Sequence, residues 1–180
     1  MTDQDCRNII RYYPPFRRIK DAGITYISPY RKLRKMPRND IDQRNVFRVL
    51  DANLNRLREA LRVVEEYFRF IAAQAEVASQ LKRLRHDLEE LERGFGQERL
   101  LAGRDTETDP FANVNRPEEM DRPTIIQVVA SNFKRGQEAA RVIEEYSKIT
   151  DVPFLSEKAK TIRFSFYTVE KSIMEIALHG

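Results

Sequence analysis

Apolar residues in this chain recur in steps of three and four. From residue 46 they run Val46, Leu50, Leu54, Leu57, Leu61, Val64, Phe68 and Ile71, which is the spacing of one helix face. Val49, Ala60, Val63 and Tyr67 widen that face to one side, so this helix is expected to lie centrally, against more than one neighbour. A second stripe, Val77, Leu81, Leu84, Leu88, Leu91 and Phe95, follows with no Gly or Pro between. A third, Ile125, Val129, Phe133, Gly136, Ala140 and Ile143, begins after Thr124, which forms a capping-box pair with Gln127. The fourth is Ala159, Ile162, Phe166, Val169, Ile173 and Ile176, with Ser156 as its expected N-cap; Asp40 or Asp42 can cap the first helix. The pattern predicts an all-α bundle of four long helices.

The polar positions carry a second regularity. Residues 53–67 read NLNRLREALRVVEEY and residues 132–146 read NFKRGQEAARVIEEY, 79 positions later, with nine of the fifteen identical. Lys82-x-x-Arg85 returns as Lys160-x-x-Arg163, now 78 apart. The body, residues 41–180, therefore reads as two pseudo-symmetric helical hairpins joined by a long polar crossover, about residues 96–123. Pro153, with Thr150 and Asp151, must interrupt the second hairpin; moved back by the repeat, that break falls within 72–78. Gly94 and Gly96 end the second helix, and residues 117–120 can form a short turn. Gly136 and Ala140 replace Leu57 and Leu61, so the two copies are expected to cross closely there. The shared residues either keep helices packed or set polar groups around one site; the repeat leaves both open.

Composition narrows the class. At 41% hydrophobic and 33% charged over 180 residues, the chain suits one soluble domain with an arm. No run approaches the roughly 18 apolar residues of a membrane span, MTDQD has no apolar signal core, and Cys6 is unpaired within the chain. A cytoplasmic protein is the expectation. Residues 1–40 hold ten Lys/Arg against four Asp, so +6 of the net +4, and the rest sums to −2. This basic arm, broken by Pro14, Pro15, Gly23, Pro29 and Pro37, is read as a solvated tail or a docked segment. No nucleic-acid motif accompanies its charge.

Phosphate loops, GxGxxG, HExxH and Cys clusters are absent, and the only histidines are His86 and His179. Three polar features remain. Asn53-x-x-Arg56-x-x-Glu59 recurs as Asn132-x-x-Arg135-x-x-Glu138; each half-buried amide needs a partner, either backbone or ligand. Arg62 has Glu59 and Glu66 within reach for a surface ion pair. Lys82, Arg85 and His86 with Lys160 and Arg163 either converge on a phosphate or pair with Glu65 and Glu144. The run Arg104-Asp105-Thr106-x-x-Asp109 has the carboxylates and hydroxyl that can hold Mg²⁺.

RVLDANLNRLREALRVVEEYFRF, LKRLRHDL, GRDTETD, SNFKRGQEAARVIEEY and AKTIRFSFYTVEKSI resemble, in this order, the hydroxymethylpyrimidine-phosphate kinase family of bacterial thiamine biosynthesis. That small helical domain occurs by itself or fused ahead of thiamine-phosphate synthase. The resemblance spans about residues 46–176 and departs at Pro110-Phe111, where the family has Gly after its second Asp. It implies ATP-dependent phosphorylation of hydroxymethylpyrimidine phosphate to the diphosphate, with ATP as co-substrate. It implies catalytic roles for Arg104, Asp105, Lys82 and Arg85, and Mg²⁺ on Asp105 and Asp109. Asn53, Arg56, His86, Thr106, Asn132, Arg135, Lys160 and Arg163 would hold the phosphorylated substrates. The synthase is an implied partner, and the broad first stripe leaves room for a homodimer. The chain lacks the strand–helix alternation of a (β/α)₈ barrel and is too short for one, so it is not expected to join pyrimidine to thiazole itself. The competing expectation is a non-catalytic helical module that binds a thiamine precursor or docks on the synthase.

Overall fold

The computed structural model describes residues 42–110 and 122–179, with side chains as far as Ile173. The described residues are all helical, as the stripes predict: α1 (Gln43–Glu66), a π-helical turn (Tyr67–Ile71), α2 (Ala75–Phe95), α3 (Gln97–Gly103), α4 (Ile125–Ser147) and α5 (Leu155–His179). None of these helices is long and apolar enough to cross a membrane. The arm, residues 1–40, and the expected turn at 117–120 lie outside the described residues.

Around the bundle the order is α1, α2, α5, α4, each packed on the next, with α4 closing on α1. Cross-helix bonds fix the directions. Contacts between α1 and α2 run in opposite senses: Arg58 of α1 meets Glu92, and Glu65 of α1 meets Arg85. Likewise Gln137 meets Glu170 and Glu144 meets Arg163. Gln43 donates to the Ile149 carbonyl at one end of the α1–α4 pair, while Ile71 and Ile125 share a groove at the other. Neighbours are thus antiparallel, and α2 and α4, on the diagonal, run the same way. The chain leaving α2 must return about 30 Å along the bundle to start α4, which is the physical reason for the long crossover.

The core is built from the four stripes, except that Ile71 and Ile125, expected on the buried face, are exposed at the end where α1 runs into the π turn and α4 begins. Leu50, Leu57, Leu61, Leu81, Leu91, Ile143 and Phe166 are fully buried. The close crossing falls at Ala60 and Gly136: a Cβ on Gly136 would lie 3.2 Å from that of Ala60 and 2.5 Å from Cε1 of Phe166. The ring of Phe166, from α5, therefore fills the space that glycine leaves, stacked at 4.7 Å on Phe133.

The helix ends follow the sequence with three differences. Gln127 N–H donates to Thr124 Oγ1 and Thr124 N–H to Gln127 Oε1, completing the capping box. α2 stops at Phe95, with Gly96 at φ 88°. α5 starts one residue early, so Ser156 lies inside its first turn rather than at the cap. The second difference is α3, inside the run read as connection; one buried leucine, Leu100, is too little to register as a stripe. Third, the break at residues 72–74 falls in the expected window but is preceded by a π turn, in which Ala72 N–H reaches the Tyr67 carbonyl at 2.9 Å. Across this segment the repeat offset changes from 79 to 78, so the first hairpin has one extra residue. A π turn is how a helix absorbs one.

Candidate functional site: the seam between α1 and α4

Within the repeated fifteen residues identity does not simply follow burial. Four buried apolar positions differ, Leu54 and Phe133, Leu57 and Gly136, Leu61 and Ala140, Val64 and Ile143, while buried Ala60 and Ala139 and buried Glu65 and Glu144 are kept. Three exposed charged positions also match: Arg56 and Arg135, Glu59 and Glu138, Arg62 and Arg141. Packing requires volume and not identity, and solvent requires neither. At 100° per residue Asn53, Arg56, Ala60, Val63 and Tyr67 occupy one arc of α1, and Ala60 places that arc against α4. The repeat places Asn132, Arg135, Ala139, Val142 and Tyr146 on the corresponding arc of α4. The two matching arcs meet along a single seam.

At the seam, Asn53 donates to the Val49 carbonyl and Asn132 to the Val128 carbonyl, both at 2.8 Å. Each amide oxygen stays available; that of Asn53 takes a 3.4 Å contact from Arg56. Among the described residues Arg135, Glu59 and Glu138 make no hydrogen bond or ion pair. Arg62 pairs with Glu66 at 3.3 Å and Arg141 with Glu145 at 2.8 Å, the surface pairing its spacing predicts. A groove of about 370 Å³ opens at the end of the seam by the π turn, lined by Val63, Tyr67, Phe70, Ile71, Ile125 and Val128.

The other basic candidates do not converge. Arg85 binds Glu65 at 2.5 Å and Arg163 binds Glu144 at 2.7 Å, the same pair in each hairpin. Both carboxylates are buried, and a buried carboxylate demands a cation, so each arginine is held by its own hairpin. Burial pushes the Glu144 carboxyl up, but the hydrogen bonds and charge of Arg163, helped by Arg141, outweigh it and hold the group below the usual carboxylate range. Glu65 lies about 33 Å along α1 from Gln43, and Glu144 about 8 Å along α4 from Ile149, so the two pairs stand roughly 25 Å apart along the bundle. Lys82 is exposed, Lys160 lies 6.0 Å over the Phe164 ring, and His86 lies 3.5 Å from Glu89. His86 also borders a second groove, between α2 and α5, with Arg83, Asp87, Ser165 and Thr168.

The crossover run is fastened to α1 by a crossed exchange of ions. Arg104 grips Asp51 with two bonds, at 2.8 and 2.7 Å. Arg48 reaches the Asp105 carbonyl at 2.9 Å and its carboxylate at 3.3 Å. Asp51 and Arg48 are partners that sequence reading missed, since neither belongs to the repeat. Gly103 permits the contact: a Cβ there would lie 2.7 Å from the Arg48 nitrogen. Thr108 donates its hydroxyl at 2.5 Å and its N–H at 3.1 Å to Asp105, and these bonds hold the carboxyl below its usual range. Thr106 and Asp109 are exposed.

Both Asp105 oxygens accept bonds from Thr108, and among the described residues no three His, Cys, Asp or Glu side chains are grouped so as to hold a metal ion.

Residues 48–172 match the profile of the ThiD2 family. The chain is also similar to proteins named thiamine-phosphate synthase. In Thermosynechococcus vestitus the identity is 46% over 126 residues, covering 70% of this chain and 34% of that protein. In Gloeobacter violaceus it is 43% over 132 residues, covering 73% and 37%. In Rhodopirellula baltica it is 36% over 139 residues, covering 77% and 36%. The chain thus spans about a third of the length of these curated relatives. No solved structure matches it.

Proposed function

From membership of the ThiD2 family, to which this chain belongs, we propose that it acts in thiamine biosynthesis as a phosphotransferase. It would pass the γ-phosphoryl group of Mg²⁺-bound ATP to the phosphate of hydroxymethylpyrimidine phosphate. The relatives' shared name supports the pathway. The synthase name describes proteins about twice as long as this chain, and the match leaves roughly two thirds of each uncovered.

The observation that carries the reading is the seam: exposed, identical Arg56 and Arg135, the latter without a counter-ion among the described residues, on helices related by the repeat. Phosphoryl transfer needs positioning and charge neutralisation more than covalent help. A planar guanidinium offers two-pronged bonds to phosphate oxygens. Asn132, half-buried and with no partner on its amide oxygen among the described residues, suits the edge of an aminopyrimidine; Asn53 is buried and braces Arg56. The attacking oxygen belongs to a phosphate already ionised near pH 7, so no general base is required. The bond from the γ-phosphorus to the ADP oxygen breaks as the new bond to the pyrimidine phosphate forms. Arg104 and Asp105 hold the crossover to α1 and position whatever the crossover contributes; Lys82, His86, Lys160 and Thr106 remain exposed donors for phosphate.

The second reading, a non-catalytic module that binds a thiamine precursor, uses the same seam. Incubation with ATP, Mg²⁺ and hydroxymethylpyrimidine phosphate separates them. ADP and the pyrimidine diphosphate should form in equal amounts; binding without ADP would overturn the kinase reading.

A further inference from the structure

The two ends of the seam are not equivalent, although the repeat makes them so in sequence. At the α1 start, Val46 and Phe47 are buried, and Gln43 ties across to the Ile149 carbonyl. Phe95 meets the Phe47 ring edge-on at 6.4 Å, and Arg99 lies 4.2 Å over it. At the other end the corresponding Ile125 and Ile126 are 45% and 60% exposed, and the π turn presents Phe70 and Ile71 beside them at 65% and 62%. The groove of about 370 Å³ lies there.

We propose that this groove holds the base of the nucleotide, with its phosphates running along the seam toward Arg135. The assignment rests on the phosphotransferase reading above. Three observations carry it. The walls are apolar and aromatic, with Tyr67 and Phe70 able to cover the face of a planar ring. The volume suits a ring system and not a whole peptide. Charge is complementary along the exit: Arg62 borders the groove, its charge shared with Glu66, and Arg135 follows about 9 Å along α4 from Val129 without an ion pair among the described residues. A site that must reject close analogues needs hydrogen-bonding groups in its walls. This one has apolar walls, so it fits the ring whose phosphates supply most of the recognition. The aminopyrimidine, which must be told from its relatives, belongs with the amides and carboxylates at mid-seam. The extra residue of the first hairpin, absorbed by the π turn, is then what makes one half nucleotide-specific.

Calorimetric titration of the full chain with ADP and, separately, with inorganic tripolyphosphate tests this. Ile125→Trp fills the groove, and Ile71→Ser removes an apolar wall; both positions are exposed, and circular dichroism and sedimentation check that the variants fold and keep the parent's oligomeric state. Each variant should bind ADP at least about tenfold more weakly, as loss of base stacking predicts, with tripolyphosphate binding unchanged. ADP binding that is unchanged in folded variants, or absent in the parent, overturns the groove assignment. So does a groove covered by a second copy in solution. Phosphoryl transfer that persists in such a case leaves the kinase reading standing. The reverse result, groove-dependent ADP binding without turnover, keeps the groove and removes the kinase.

Discussion

The two hairpins solve one packing problem with different residues. Where the first has buried Leu57 and Leu88, the second has Gly136 beside Phe166 at the matching positions, so volume has moved from one helix to the other. Where the first ties its helices by Arg58 and Glu92, the second uses buried Gln137 and Glu170 at 2.6 Å. The ties between helices that are the same in kind are the Glu65–Arg85 and Glu144–Arg163 pairs. Core positions trade volume in pairs, and a polar tie can change its chemistry, because the fold asks only for filled space and satisfied groups. The exposed seam residues stayed identical under no such demand, which separates them from the scaffold.

The comparison can be broken most severely at the paired charges. Arg163→Leu strands Glu144 in the core and should cost about 3–5 kcal/mol. Replacing both partners by leucine should cost much less. The same pair of variants at Arg85 and Glu65 should behave alike if the hairpins are equivalent, and urea denaturation reads all of them. Next is Gly136→Leu, expected to lose about 1–3 kcal/mol by overpacking against Phe166. Adding Phe166→Leu recreates the first hairpin's arrangement and should restore part of the loss. A single variant that melts like the parent would show that the two helices do not cross closely there.

Acid sharpens the comparison further. The folded-state pKa of Glu144 lies below its ordinary 4.5. Its contribution is therefore complete above that value and disappears as the pH falls through the lower, folded one. Melting temperature should drop with pH in that window, and Glu144→Gln should flatten the slope there. Smaller still is Arg104→Ala. Its side chain is 45% exposed, so removing it opens the buried Asp51 carboxylate to water rather than stranding it in the core, and about 1–2 kcal/mol is expected. Turnover should fall more than stability does, because Asp51 and the crossover lose their register.

The four helices were legible because each carries a stripe of six or more apolar residues at one period, and the break after Ile71 because proline marks its counterpart. α3 was not legible, since a seven-residue helix leaves one buried leucine. The π turn was visible only as the change of offset from 79 to 78. At the site, the repeat pointed to Asn53, Arg56, Asn132 and Arg135 through identity. It offered pairing of Arg85 and Arg163 with Glu65 and Glu144 as one of two readings but could not choose it, because burial of the glutamates depends on which face the neighbouring helix covers. Arg48 and Asp51 gave no signal, being ordinary charged residues until the crossover folds back onto them.

The smallest stability effect belongs to the seam, and there the two halves should at last diverge. Arg56→Ala and Arg135→Ala each remove an exposed side chain, so unfolding free energy should stay within about 0.5 kcal/mol of the parent. If the seam holds the nucleotide by the π turn and the pyrimidine at its middle, Arg135→Ala raises KM for ATP more than for the pyrimidine, and Arg56→Ala does the reverse. Steady-state kinetics with each substrate varied in turn decides it. Equal effects of both variants on both substrates would mean that the halves share each ligand. The repeat would then be functional symmetry, and not two copies with divided roles.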